Sequence, residues 1–149
     1  STAGFILPSR LFKEKGIMKV GFGDIFLEDL KKYRDTNLQK IDMTGVYPIW
    51  KRDTAELIES FINLGFKAVI TCVDTKVLPA SFAGREIDER FLKELPKQVD
   101  PCGENGEFHS FVYAGPIFAT SIQFTRGDVH QVNQFVFRDL IPIEKSGGY

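Results

Sequence analysis

A chain of 149 residues is long enough to bury a core without disulfides or a structural metal, and it has room for one domain or a domain with a small appendage. Its 19 basic residues nearly cancel its 20 acidic ones, which removes any sequence-wide electrostatic case for nucleic acid, and no apolar run approaches the ~20 residues of a membrane span. The two cysteines, one in an apolar run and one in a glycine-rich loop, read as reduced thiols. With no signal-peptide pattern in Ser1-Thr2-Ala3-Gly4, a cytoplasmic setting is expected.

In chain order, residues 17–23 form a short apolar strand ending in glycine, after which Asp24 is placed to cap a helix carrying Leu27, Leu30, Tyr33 and Leu38 near one face. Residues 45–50 read as a second strand whose Pro48 places it at an edge or an end. Asp53 and Glu56 make a capping-box-like pair ahead of Leu57, Ile58, Phe61, Ile62 and Leu64, and Gly65 closes that helix. A strand over 66–73 follows, so the helix joins two strands that would run parallel if they share a sheet.

The pattern changes after Asp74. A short helix over 87–95 is stopped by Pro96, and aromatic-rich runs at 108–113, 117–124 and 132–137 read as strands, with Arg126-Gly127-Asp128 as a turn between the last two. The first half is therefore layered α/β and the second a smaller strand-rich unit, with the junction near Gly45 or Asp74. The tail from Lys145 is expected to fray.

Three glycine-led segments are placed for binding. Gly23, Asp24 and Ile25 lie where a strand hands over to a helix, the end of an open α/β sheet at which ligands gather; the alternative is that Asp24 only caps and Glu28 only pairs with Lys32. Gly84 and Arg85 open another helix, where Arg85 is placed to bind an anion or Asp88 simply supports the first turn. The densest is Cys102-Gly103-Glu104-Asn105-Gly106-Glu107-Phe108-His109, with two glycines and two carboxylates running into an apolar strand. Carboxylates on such a loop can hold a ligand, an amine or a cation; Asn105-Gly106 is equally a tight-turn dipeptide. His109 is placed for proton transfer or is an ordinary strand histidine. Neither histidine belongs to a spaced ligand set, so no metal site is expected, and no nucleotide fingerprint is present.

Taken together and in this order, Gly23-Asp24-Ile25, residues 48–54, residues 84–88 and the loop from Cys102 resemble the C-terminal part of the diphthine-ammonia ligase family, which belongs to the N-type ATP pyrophosphatases. The resemblance runs from about Ile17 to Leu140 and implies an adenine-nucleotide-hydrolase-like parallel sheet remnant over 1–45, followed by a family-specific α+β domain over 46–149. It also implies an ATP-dependent ligase that adenylates a carboxylate, releases pyrophosphate and forms an amide with ammonia; Mg²⁺ is among the groups suited to absorb the pyrophosphate charge. The implied partners are ATP, ammonia and an acceptor carboxylate: diphthine on elongation factor, or another substrate.

By the same resemblance Gly23, Asp24 and Ile25 border the nucleotide crevice, while Gly103, Glu104, Gly106 and Glu107 form the facing wall, with Glu104 or Glu107 orienting ammonia. The family's Ser-Gly-Gly-x-Asp-Ser phosphate loop does not occur in this sequence, so the chain alone is expected to be inactive, and a non-catalytic binding module is the competing reading. Asn105, Phe108 and His109 replace a glycine and a Tyr-Glu pair usual in the family, and Leu30 replaces a tyrosine; these departures bear on the acceptor. Self-association through open strand edges or exposed members of the 14 phenylalanines is a further expectation.

Overall fold

The structure, a computed structural model, describes residues 11–144. The tail expected to fray lies outside them. The boundary between two compact units falls between Arg52 and Asp53. No helix among the described residues is long and apolar enough to cross a membrane.

The first unit is a small parallel strand-helix-strand unit. Strand β1 (Lys19–Gly21) pairs in parallel with β2 (Thr44–Val46), and helix α1 (Glu28–Gln39) connects them. Its core is small: Leu38, Ile41 and Met43 are buried, with Val20 and Phe22 packed against them. The expected capping by Asp24 does not occur. Helix α1 starts four residues later with Leu27 at its cap position and no side-chain cap bond. Asp24 instead meets the Arg34 guanidinium, which also lies 4.5 Å from the centre of the Phe22 ring. Leu27 and Tyr33 stay exposed, so of the four residues assigned to the apolar face only Leu38 is fully buried. Glu28 sits 3.4 Å from Lys51 rather than on Lys32, and the helix's i,i+4 pair is Lys31 with Asp35 at 2.7 Å.

In the second unit α2 (Thr54–Asn63) begins where its capping pair placed it: the Asp53 carboxylate accepts from the Glu56 amide at 2.9 Å. Ile58 is buried, and Phe61 and Ile62 pack beside it, so the helix face read from the sequence is the face that meets the core. Strand β3 (Lys67–Asp74) follows, but it does not share a sheet with β2; a parallel crossover through α2 is therefore not formed. Strand β2 stops after three residues, Pro48 falls in the turn beyond it, and α2 spends its apolar face on the other sheet.

That sheet is antiparallel, in the order β4-β3-β6-β5, with β4 (Phe108–Ala114), β5 (Phe124–Val132) and β6 (Phe135–Pro142). Strand β3 is central, and five of its eight residues are buried. One side of it pairs with β4. Its other side pairs with β6 at Cys72–Asp74 and, nearer its start, with residues 84–87: the Ile70 amide donates to Arg85 O at 2.8 Å and the Ile87 amide to Ala68 O at 2.9 Å. Helix α3 (Glu89–Glu94) is shorter than expected, and Asp88 caps it by accepting from the Phe91 amide at 2.8 Å. The core joins Ile58, Ile70, Val73, Leu78, Phe91 and Val136.

One strand assignment and one turn assignment shift. Residues 117–123 are turn and coil, with Ile117 83 % exposed, and the strand starts only at Phe124. Residues 126–128 do not turn the chain; they are a bulge inside β5, where the register slips between Arg126 and Val129. The hairpin closes further on, between Val132 and Phe135, with Asn133 at φ +53°. Asn tolerates that left-handed backbone better than most residues, which is why the corner needs no glycine.

Candidate functional site

Residues 100–107 form a loop tied together by two carboxylates. The Asp100 carboxylate accepts from Thr54 Oγ1 at 2.6 Å, from the Cys102 amide at 2.9 Å and from the Glu104 amide at 3.1 Å. Glu107, only 6 % exposed, accepts from the Asp100 amide at 3.0 Å, the Asn105 amide at 2.9 Å and the Asn105 side-chain amide at 3.2 Å. Each carboxylate thus binds backbone near the other. The loop is docked at both ends: Glu107 O accepts from the Asp74 amide at 2.9 Å, and the Cys102 thiol lies 3.4 Å from Thr54 O.

Local sequence explains this. Asp100-Pro101 starts an Asx-type turn, in which the side chain takes the amide two residues on. Gly103 has φ +68°, and a Cβ there would stand 2.8 Å from Phe108 O, so both backbone and space require glycine. Phe108 then enters the core beside Phe91, ring centres 5.7 Å apart, and anchors the loop's far end.

The electrostatics separate the carboxylates. Burial pushes the Glu107 carboxyl up, but the amides of Asp100, Glu107 itself and Asn105, with the Asn105 side chain, outweigh it and hold the group below the usual range. Glu104 moves the other way, raised first by burial and then by the charges of Asp100 and Glu107. Burial, with Asp100, Glu104 and Asp53 around it, pushes the Cys102 thiol up to about 12, so it is no nucleophile at neutral pH. Glu104 is half-buried, and its own carboxylate is not among the loop's bonded acceptors.

The structure brings Gly103, Glu104, Asn105, Gly106, Glu107 and His109 into one loop and the strand it enters. His109 is exposed on β4, and its carbonyl accepts from Thr71 Oγ1 at 3.3 Å. Arg85 is elsewhere in the unit. Its backbone joins the other side of β3, at Ile70 rather than at Asp74, and its guanidinium bonds Glu94 at 2.6 Å while lying 4.6 Å from the Phe82 ring centre. Gly23, Asp24 and Ile25 belong to the first unit, where Asp24 is paired with Arg34, Ile25 is buried and its carbonyl accepts from the Lys51 amide at 2.7 Å. Sequence reasoning passed over Asp100 and gave Thr54, inside the segment 48–54, no role of its own; the Asp-Pro step was the available signal for the first, but its partner lies 46 residues away. Among the described residues no three His, Cys, Asp or Glu side chains are grouped as a metal would need, so no step is assigned to a metal held by them.

Comparison with known proteins adds a family. The family model described as the diphthamide synthase C-terminal domain matches residues 53–145, which contain the whole loop and its sheet. Diphthine–ammonia ligase of Bos taurus is 29 % identical over 135 residues, covering 85 % of this chain and 50 % of that protein. The Homo sapiens protein of that name gives the same identity and coverage. The Mus musculus one is 32 % identical over 120 residues, 76 % of this chain and 45 % of its own length. The chain spans about half the length of the curated relatives it matches.

Proposed function

Since the chain belongs to the diphthamide synthase C-terminal domain family, we propose that it forms the acceptor side of an ATP-dependent ligase that converts a carboxylate to an amide. In this reading residues 1–45 are the end of an adenine-nucleotide-hydrolase-like domain, with Gly23, Asp24 and Ile25 at its nucleotide crevice, and residues 46–149 are the family's own domain. ATP supplies the activation: a carboxylate is a poor electrophile until AMP makes one of its oxygens a leaving group.

The observation that carries the reading is the division of labour in the loop. Asp100 and Glu107 are spent on backbone donors and fix the shape; Glu104 is held beside them with its carboxylate available. A half-buried carboxylate with a raised pKa suits an ammonium ion, which it can orient; once one proton has passed to solvent, the ammonia lone pair attacks the activated acyl carbon, and Glu104 takes the second proton from the new C–N nitrogen as AMP departs. Glu107 then acts as a positioning residue. Gly103 and Gly106 permit the turn, and Asn105 and His109 flank the acceptor. Arg85, tied to Glu94 on the other side of β3, is given no part at this loop.

The test is amide formation by the full-length protein with ATP, ammonia and acceptor. Glu104→Gln is expected to lower turnover by roughly a hundredfold, within the usual range for a lost general base, while AMP and pyrophosphate remain the products. Undiminished amidation in Glu104→Gln would remove the role given to that residue. Release of ADP and phosphate by the parent protein would remove the reaction class itself.

A further inference from the structure

Thr54 is the first residue of α2, and the helix does not need its hydroxyl: Asp53 already supplies the cap, accepting from the Glu56 amide at 2.9 Å. The hydroxyl is spent 46 residues away. It donates to Asp100 Oδ1 at 2.6 Å and is the one donor on that oxygen among the described residues, while Oδ2 takes the Cys102 amide at 2.9 Å and the Glu104 amide at 3.1 Å. The two oxygens of one carboxylate therefore join α2 to the backbone that carries Glu104.

The backbone of Asp100 is held without Thr54, since its amide donates to Glu107 at 3.0 Å and its carbonyl accepts from the Gly103 amide at 2.9 Å. Its carboxylate is not. The torsion that turns a carboxylate is broad and twofold, and this half-buried group has water to turn to. A short charge-assisted bond from Thr54 sets that torsion, and with it the oxygen offered to the loop. The loop thus has two separately held parts: the Asp100 and Asn105 amides lie on Glu107, and the Cys102 and Glu104 amides lie on Asp100. Glu104 belongs to the part that ends on Thr54.

We propose that Thr54 is a positioning residue for Glu104: its hydroxyl orients the Asp100 carboxylate, which in turn holds the backbone from which Glu104 is presented. The inference rests on the ligase reading for what Glu104 does, but not for where Glu104 is held.

Amide hydrogen exchange in the whole chain, read residue by residue by NMR, tests the placement without ATP or acceptor. Thr54→Val removes the hydroxyl and keeps the Thr54 carbonyl, which lies 3.4 Å from the Cys102 thiol, so the loop stays docked there. In that variant the Cys102 and Glu104 amides are expected to exchange roughly tenfold or more faster, the scale of one lost bond to a charged acceptor. The Asp100 and Asn105 amides on Glu107 and the Glu56 amide on Asp53 should keep their rates. Thr54→Ser, which returns the hydroxyl without the methyl, should restore slow exchange, and Thr54→Ala, a better helix former, supplies the same deletion if the valine variant does not fold. In the full-length protein, Thr54→Val should lower kcat for amidation roughly tenfold at unchanged KM for ATP, and Thr54→Ser should recover it. Equal acceleration of all these amides, which a merely structural role would give, unchanged rates at Cys102 and Glu104, or no recovery with serine would overturn the placement; undiminished kcat in Thr54→Val would overturn its part in amidation. Release of ADP and phosphate by the unaltered full-length protein strikes the ligase reading alone and leaves the exchange result standing.

Discussion

Two acidic glycine turns, one in each unit, look alike in sequence and use their carboxylates in opposite ways. At Gly23-Asp24 the aspartate meets a single cation, Arg34, and leaves the start of α1 without a side-chain cap. At residues 100–107 the two structural carboxylates meet no cation; they take five hydrogen-bond donors between the loop backbone and its side chains, and Thr54 adds a sixth. A cation can be replaced by water with little loss, but backbone amides turned inward have nowhere else to go. Acid-rich glycine loops are therefore to be judged by the donors they enclose, and the second is the one built to hold a fixed shape.

The sharpest way to break this contrast is to remove one carboxylate from each turn. Glu107→Ala strands the amides of Asp100 and Asn105 and is expected to cost about 2–4 kcal/mol, the range for several lost bonds to a buried charged acceptor. Asp24→Asn, which gives up one part-buried ion pair, should cost about 1 kcal/mol or less. Urea unfolding followed residue by residue by NMR reads the two units separately. Equal losses would mean that the loop's bonds add nothing beyond an ordinary ion pair.

Within the loop, the two glycines make a second and smaller contrast. Gly103→Ala meets both a positive φ and the Phe108 carbonyl, and about 2–3 kcal/mol of destabilisation is expected from the two together. Gly106 shares the positive φ, +80°, but a Cβ there meets nothing within 4 Å, so Gly106→Ala should cost only about 1 kcal/mol. Thermal or chemical denaturation of the pair checks this. A cost at Gly106 matching that at Gly103 would show that the backbone conformation, not the close approach to Phe108, sets the requirement.

What was legible in the sequence follows the range of the interactions involved. Helix α2 was readable because its cap, its periodicity and its closing glycine all lie within a dozen residues, and β3 because its apolar run is continuous. The parallel partnership of the strands flanking α2 was not readable, since a connecting helix has the same local pattern whether or not its two strands share a sheet. Arg126-Gly127-Asp128 has the composition of a turn. Yet Gly127 serves a bulge, where a Cβ would stand 2.8 Å from Ile141, and the real corner falls at Asn133-Gln134. In the candidate site the glycine positions were visible, but the division of roles was not. Asp100 looks like a mere turn former until Thr54, far away in the chain, is brought onto it.

The finest test concerns pH, because the free and the engaged glutamates should titrate in opposite directions from the ordinary value of about 4.3. Glu107 is depressed in the fold, since its amide donors outweigh burial; its stabilising contribution is present above the unfolded value and is lost as pH falls through the lower folded one. Glu104 is raised by burial and by the charges of Asp100 and Glu107, so it disfavours the fold as pH rises from the ordinary value through its raised one. Carboxyl carbon shifts in NMR separate the two midpoints. Replacing Glu107 with Gln removes one of the charges facing Glu104, and the Glu104 midpoint should then move back down if the loop stays folded. Two glutamates titrating together near the ordinary value, or a Glu104 midpoint indifferent to Glu107, would erase the distinction between the carboxylates that build this loop and the one they present.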